Sequence, residues 1–513
     1  MRPWKAIGMR LVRVHAAGTE GVDGYLVTVE VARSTPANGE GRTTVVGLPD
    51  AAVRESVQRV TTAIFASGLR HSPLDHITVN LAPADRRKEG PAFDLACAIG
   101  FLATMGDNAL PEPPQRALFL AELALGGELR PVRGVVAAAA AARAAGFDTA
   151  VVAPANAHEA AAVGGLRVVA PSDLRACCAW LRSGEMPTMP PAPRQAETDE
   201  PCLSDVRGQA QAKRAIVIAA AGAHNLLMLG PPGSGKTMLA RRLSGILPAL
   251  SSDEALEVTR VHSIAGLLPL GSGLVAQRPF RSPHHGVSGP GLVGGGSPPR
   301  PGEISLAHHG VLFLDELPEY PRTALESLRQ PLEDGFLTIV RASGRLRFPA
   351  RCCLVAAMNP CPCGFLGHPT RRCTCGSDEI HRYRAKISGP LLDRIDLHLE
   401  VPAQRPETLQ GADGGETSAA LRQRVVAARG LMVARQGRPN ALLEPRGLRS
   451  HIHAAPEALH LLGQAVDELG LSARAHDRIL KVARTIADLE GRDGVGLDDV
   501  SEAIGYRVLD RPA

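Results

Sequence analysis

Residues 230–237 read Gly230-Pro231-Pro232-Gly233-Ser234-Gly235-Lys236-Thr237, which meets every fixed position of the pattern G-x-x-x-x-G-K-[ST]. The chemistry of that spacing is phosphate binding. Glycines let successive backbone N–H groups turn toward phosphate oxygens, and a helix opening directly afterwards adds partial positive charge. Lys236 would reach the β- and γ-phosphates of ATP, and the Thr237 hydroxyl would coordinate Mg2+. The alternative reading is a glycine-rich turn that happens to precede a helix. Further along, Gly310-Val311-Leu312-Phe313-Leu314-Asp315-Glu316 is an apolar run ending in two acids. Asp315 would hold the metal, directly or through water, and Glu316 would orient and activate the attacking water. Many strands end in acids, so this run gains its meaning from the loop upstream.

Other residues carry chemistry only in combination. Asn359 ends the apolar run 351–358, Arg394 follows the apolar pair Leu391-Leu392, and Arg474 opens a helical pattern. Taken singly they read as a turn amide and two solvated guanidiniums, and their order along the chain promotes them. Cys361 and Cys363 are followed, after nine intervening residues, by Cys373 and Cys375. Four thiolates suit tetrahedral Zn2+, although the one-residue spacing departs from the usual two to four, and reduced structural thiols remain an alternative. Cys97, Cys177, Cys178, Cys202, Cys352 and Cys353 read as core residues, and His308 and His309 as structural ones. Between 278 and 300, Arg278, Arg281, His284 and His285 stand among glycines and prolines without a hydrophobic period, as in an exposed loop. Arg341, Arg345, Arg347 and Arg351 are spaced for a second basic hairpin. By themselves these groups read as solvated loop residues.

These residues need elements to position them. The run 225–229 predicts a strand feeding the glycine loop, and 238–247 carries apolar residues at helical spacing. Before them, 25–32 and 77–81 read as strands, 51–66 and 93–105 as helices, 118–133 as a hairpin, and the alanine run to 145 as a helix. Near the C-terminus Ile479, Val482, Ile486 and Leu489 recur at helical spacing, with Ser472 as N-cap. Pro187, Pro190, Pro191 and Pro193 mark a linker over 185–200. The chain thus divides into 1–184, 201–402 and 403–513, in line with the three domains expected of 513 residues.

Composition narrows the classes. A net charge of only +5 gives no whole-chain field for a polyanion, so any nucleic-acid contact must be local. Aromatics at 3% argue against a surface that works by stacking bases. Ten cysteines are too sparse for a disulfide scaffold. Residues 1–14 mix arginines and lysine with short apolar pieces, unlike a secretory signal, and no apolar run is long enough to span a bilayer. The expectation is a reduced, cytoplasmic protein with no membrane partner.

Two resemblances extend this reading. The run Asn80-Leu81-Ala82-Pro83-Ala84-Asp85 with Lys88-Glu89-Gly90-Pro91-Ala92-Phe93-Asp94-Leu95 resembles the proteolytic domain of the Lon family and the N-terminal domain of magnesium-chelatase-like ATPases. The family's nucleophilic Ser position holds Ala92 and its Lys position holds Val136, so Ser–Lys catalysis lacks both groups and no protease is expected. From Asp205 to about Val508 the chain resembles the AAA+ superfamily, its magnesium-chelatase-like branch, and within that the ComM/YifB family. The motifs are Arg278-Pro279-Phe280-Arg281-Ser282-Pro283-His284-His285, Gly302-Glu303-Ile304-Ser305-Leu306-Ala307-His308, Leu314-Asp315-Glu316-Leu317-Pro318-Glu319, Leu328-Arg329-Gln330-Pro331-Leu332-Glu333 and Ala356-Ala357-Met358-Asn359-Pro360-Cys361-Pro362-Cys363-Gly364.

The resemblance implies an α/β protein. It would have a Lon-protease-like (ribosomal S5 domain 2-like) N-terminal domain, an AAA+ domain with a parallel sheet, and a helical C-terminal domain. It implies Asn359 as first sensor, Arg394 as the finger reaching a neighbouring subunit, Arg474 as second sensor, and a homo-hexamer with DNA in its channel. There Arg278, Arg281, His284, His285, Arg341 and Arg345 would grip the nucleic-acid backbone without reading its sequence. The function implied is a branch-migration helicase of natural transformation and recombination, working beside recombination proteins. A chelatase-type motor driving metal insertion into a tetrapyrrole through a partner subunit is the alternative. Against it stand the N-terminal domain and the cysteine insertion. An ATP-switched scaffold is a third reading.

Overall fold

The computed structural model describes residues 10–34, 41–69, 75–105, 110–191, 201–297, 299–341, 344–404 and 415–510. Its contacts divide the chain into two compact units, Met1–Ala196 with Ser252–Val275, and Glu197–Ser251 with Ala276–Ala513. Most of the proline-rich linker, 192–200, lies outside the described residues.

The first unit is built on a seven-stranded sheet. Its strands are β1 (Arg10–Glu20), β2 (Asp23–Ser34), β3 (Arg42–Val46), β4 (His76–Ala82) and β5 (Ala117–Leu120). After the small pair β6 (Glu122–Leu123) and β7 (Leu129–Arg130), β8 (Thr149–Val152) and β9 (Arg167–Val169) complete it. The order is β3-β4-β2-β1-β5-β8-β9. Strands β1 and β2 form an antiparallel hairpin, while β5, β8 and β9 run parallel outward from β1. The predicted hairpin over 118–133 is therefore only the short β6–β7 pair, because Ala117–Leu120 joins the main sheet. Alternation puts Val12, Val14, Val29 and Val31 on the face covered by the helices Ala51–Ala66 and Asp94–Ala103. The helix Val135–Ala144 packs with Ala17, Leu118 and Leu120 in a separate cluster.

A helix from far along the chain also belongs to this unit. Ser252–Ala265 places Leu256 against Val136, Ala139 and Val163. Its Ser263 Oγ accepts a 2.9 Å bond from the Gly134 N–H and donates to the buried Glu159 carboxylate. The sequence division had put these residues in the ATPase domain, since nothing local marks an amphipathic helix as docking elsewhere.

The second unit holds a five-stranded parallel sheet of order β11-β14-β17-β10-β18. Its strands are β10 (Leu226–Leu229), β11 (Phe280–Arg281), β14 (Val311–Leu314), β17 (Cys353–Met358) and β18 (Leu397–Glu400). Two small pairs lie apart, β12 (Gly294–Gly295) with β13 (Arg300–Pro301), and β15 (Phe336–Arg341) with β16 (Gly344–Pro349). Both sheet faces are covered: Leu226 and Met228 enter one core, Leu227 and Leu229 another. That is why these strands read as unbroken apolar runs rather than alternating ones. The C-terminal helices, including Ser418–Gln436 and Ala473–Leu489, share the first of these cores, so Val425, Met432, Ile479 and Val482 pack with Ile216 and Leu397. Ser472 caps the latter helix by accepting from the Ala475 N–H at 3.2 Å, as its sequence predicts. No helix among the described residues is long and apolar enough to cross a membrane.

Candidate nucleotide-binding site

The loop 230–235 leaves the end of β10 and enters the helix Lys236–Leu243. A Cβ on Gly230 would lie 2.2 Å from the Val401 carbonyl oxygen, so only glycine lets the chain turn there. Gly233 and Gly235 take φ of 77° and 93° with open space where a side chain would stand. Lys236 is buried and donates to the carbonyls of Gly230 (2.7 Å) and Pro231 (2.9 Å) and to Asn359 Oδ1 (3.4 Å). Burial lowers its pKa, while Asp315 and Glu316 pull the other way. The Ser234 hydroxyl is buried without a hydrogen-bond partner among the described residues.

Strand order brings the acids to this loop. Strands β10, β17 and β14 are neighbours with all their C-terminal ends on one edge, so Asp315, Asn359 and the loop converge. Ligands of open parallel sheets bind at that edge. Thr237 Oγ1 donates to Asp315 Oδ2 at 2.7 Å. Glu316 adopts a left-handed φ of 53°, and its carboxylate is exposed. His285 Nδ1 stands 3.2 Å from Glu316 Oε2. An adjacent hydroxyl and carboxylate are hard oxygen donors that fit Mg2+. The open glycine cradle, the orphaned Ser234 hydroxyl and the lysine fit a polyphosphate.

Arg394 lies at the other edge of the sheet. Asn225, just before β10, donates its side-chain amide to the Arg394 carbonyl at 2.8 Å, and its own carbonyl accepts from Leu397 N–H at 3.0 Å. The length of β10, about 13 Å at some 3.3 Å per residue, therefore separates Arg394 from the phosphate loop. Its guanidinium donates to the Arg329 carbonyl (2.8 Å) and the Pro390 carbonyl (2.6 Å) and pairs with Glu333. Arg474 is exposed in the first turn of its helix and, among the described residues, makes no hydrogen bond to the loop.

The basic segment differs from its sequence reading. Arg281 sits in the edge strand β11, not a loop, and is clamped by both Glu303 oxygens at 2.7 and 2.9 Å. Arg278 donates to the carbonyls of Pro248 and His309 at 2.6 Å each. His284 caps Gly286 N–H and His285 faces Glu316. Arg278, Arg281 and His285 are thus tied to acceptors that spacing alone does not reveal, while His284 stays exposed and accepts from the Gly286 N–H. The predicted hairpin is present as β15–β16, with Arg345 exposed and Arg347 stacked 3.5 Å over the Phe336 ring. The side chain of Arg341 lies outside the described residues.

Sequence reasoning missed Gln209. Its side-chain amide donates to the carbonyls of Ser234 (3.2 Å) and Pro402 (2.8 Å), pinning the phosphate loop from behind. It also assigned His285 no place near Glu316. A lone glutamine after a glycine carries no signal, and the histidine pair looked like part of the basic run.

The four cysteines of 361–375 do come together. Cys361 Sγ is 3.4 Å from Cys363 Sγ and 3.6 Å from Cys373 Sγ, and Cys363 and Cys373 are 3.5 Å apart. In the first unit, Val136 is fully buried and Ala92 packs against the cluster holding Val135 and Ala138.

Residues 29–156, 202–409 and 415–507 match, in turn, the family models described as subunit ChlI of Mg-chelatase, magnesium chelatase subunit ChlI, and its C-terminal part. The competence protein ComM of Haemophilus influenzae is 44% identical over 510 residues, covering 98% of each chain. The YifB protein of Escherichia coli is 44% identical over 506 residues, again 98% of each. A magnesium-chelatase 38 kDa subunit of Rhodobacter capsulatus is 24% identical over 339 residues, 60% of this chain and 88% of that one. The α/β units with their parallel sheet and C-terminal helices agree with these matches, and the chain belongs to the ComM/YifB family of magnesium-chelatase-like AAA+ ATPases.

Proposed function

We propose that this chain is one subunit of a ring-forming, cytoplasmic ATPase, most simply a homo-hexamer, that couples ATP hydrolysis to movement along DNA in recombination. One observation carries the ring: Arg394 stands at the opposite edge of the sheet from Lys236, Asp315 and Asn359. An arginine that neutralises charge on the γ-phosphoryl must approach it closely. From that edge it can serve only another copy's loop, leaving Glu333 to do so. Rings are the closed form of such head-to-tail contacts.

Within each site the chain's own groups divide the work. Gly233 to Lys236 hold the phosphates, and Thr237 with Asp315 would hold Mg2+, which supplies charge neutralisation when bound. Glu316 orients and deprotonates the attacking water, with His285 fixing its carboxylate. Asn359, bonded to Lys236, sits where it senses the γ-phosphate, and Arg474 would close on the nucleotide from the C-terminal helices. DNA contact falls to the β15–β16 hairpin through Arg345 and Arg341 rather than to the inward-tied Arg278 and Arg281. Full-length similarity to a protein named for competence supports DNA as the track.

The test is ATPase turnover of the full chain with and without single-stranded, duplex and four-way-junction DNA, with Lys236→Ala as the blank. Stimulation by at least one DNA is expected. If none stimulates turnover or binds, DNA coupling fails. The matches to chelatase-subunit families would then favour a motor acting through a partner subunit on metal insertion.

A further inference from the structure

We propose that Cys361, Cys363, Cys373 and Cys375 form a mononuclear tetrathiolate zinc site that positions Asn359 beside the phosphate loop and backs Pro232 within it. The four sulfur atoms lie within 4.8 Å of one another, with three separations of 3.4 to 3.6 Å. Zinc–sulfur bonds near 2.3 Å in a tetrahedron put ligand sulfurs about 3.8 Å apart. The cysteines are thus preassembled around a point, and none is joined in a disulfide. The four thiolates of an iron–sulfur cluster are spread over two or more irons and cannot all stand this close together, so one ion fits better.

The surrounding backbone treats these sulfurs as acceptors. The Cys363 N–H donates to Cys375 Sγ and the Leu366 N–H to Cys361 Sγ, each at 3.4 Å. Such bonds orient and stabilise ligating thiolates. Residues 359–376 contain no helix or strand, only turns between β17 and the helix Ser377–Arg384. Loops of that length seldom hold one shape unaided, and a metal crosslink between their halves restrains them.

The position of this loop gives the ion a task. Cys361 is fully buried and follows Asn359 by two residues, and Asn359 Oδ1 is bonded to Lys236. Gly364, with φ of 83°, lies so close to the phosphate loop that a Cβ there would sit 2.7 Å from Pro232 Cδ. One end of the crosslinked loop therefore sets the amide, and its middle backs the phosphate cradle. The ion would act as a positioning element, touching no reactant.

Zinc binding is measured independently of the ATPase reading, on which only the catalytic consequence rests. Full-length protein made with a histidine-free tag in zinc-supplemented medium should contain about one zinc per chain by elemental analysis. Cobalt(II) exchange should give the sulfur-to-metal charge-transfer and visible bands of a tetrahedral thiolate site. Cys373→Ser with Cys375→Ser should abolish both. In that variant the ATPase kcat should fall about tenfold with the KM for ATP changed much less, a loss typical of removing support behind a site. Should the variant not fold, mercurial titration of the unmodified protein should still release the zinc as four thiols react. Zinc below about a tenth per chain, iron in its place, or zinc retained in the double variant would each overturn the site. A zinc-loaded protein whose zinc-free variant keeps its kcat would overturn the positioning role.

Discussion

The phosphate-loop edge of the second unit and the Ala92–Val136 surface of the first start from comparable scaffolds, a sheet covered by helices, and end in opposite chemistry. In the second, polar groups converge and satisfy one another: buried Lys236 with Asn359, exposed Thr237 with Asp315, and Gln209 behind the loop. In the first, the two positions that the resemblance to the Lon family assigns to nucleophile and base hold alanine and valine, and Leu256 packs against the valine. Most buried polar atoms persist where partners neutralise their desolvation, and the Ser234 hydroxyl is an exception that marks the loop. Once hydroxyl and amine are absent, the same surface becomes an apolar seat for a helix. The polar bonds there, Ser263 with Gly134 and Glu159, anchor the Ser252–Ala265 helix.

The sharpest way to break this contrast is to separate Arg394 from the site it is assigned to. Arg394→Ala should lower ATP turnover about a thousandfold, some 4 kcal/mol of barrier, while nucleotide binding measured by fluorescent-analogue titration changes little. Glu316→Gln should be nearly as inactive. Mixing the two variants should restore part of the turnover, because an Arg394→Ala loop can then meet an intact arginine from a Glu316→Gln neighbour. No recovery across all mixing ratios would mean that the finger does not act between copies.

Much of the second site is legible because its signals are local. The fixed positions of 230–237 and the apolar runs ending at Asp315 and Asn359 each lie within ten residues, and the strands declare themselves because both faces are buried. What escapes is whatever depends on a partner far along the chain. Arg281 looks like a free cation until Glu303 is seen beside it, and His285 until Glu316 is. The helix Ser252–Ala265 has an ordinary amphipathic pattern, with Ala255, Val258 and Val261 buried, and nothing in that pattern says which unit buries them. Residues 118–120 have the composition of a hairpin arm as much as of a sheet strand, and only the parallel pairing with β1 decides.

A second variant addresses the other half of the comparison. Val136→Lys places an ammonium where the side chain is fully buried against Ala139, Val163 and Leu256. It should destabilise the first unit by about 3 kcal/mol, through an unpaired buried charge. Of the two tryptophans of the sequence, Trp180 is buried in the core of the first unit, so urea unfolding followed by tryptophan emission reports the loss of that core. Adding Ala92→Ser should not yield peptide hydrolysis. A stable double variant that cleaves an unfolded protein substrate would show the surface to be a silenced active site instead of a seat for the helix.

The smallest effect distinguishes the two units by two buried aspartates of opposite tendency. In the first, burial pushes the Asp94 carboxyl up to about 6, despite its ion pair with Arg59 at 3.0 Å. In the second, burial also opposes the Asp396 charge, but Arg478 and His224 outweigh it and hold the carboxyl well below its usual range. Between about pH 4 and pH 6 the folded first unit keeps a proton that the unfolded chain has lost, so the Asp94 contribution is complete below about pH 4 and disappears as pH rises through about 6. Asp396 contributes above about pH 4, and that stability is lost as pH falls further. A shift of about two units caps the Asp94 effect near 3 kcal/mol, and relaxation around the pair brings it to about 2. Acidifying from pH 7 to 4.5 should therefore raise the urea midpoint of tryptophan emission in the unmodified protein relative to Asp94→Asn. Glu159, pushed up by burial in the same unit, adds to the trend in both proteins. Parallel midpoints for the two proteins over that range would mean that Asp94 is ionised throughout. The two units would then not differ in how they carry buried charge.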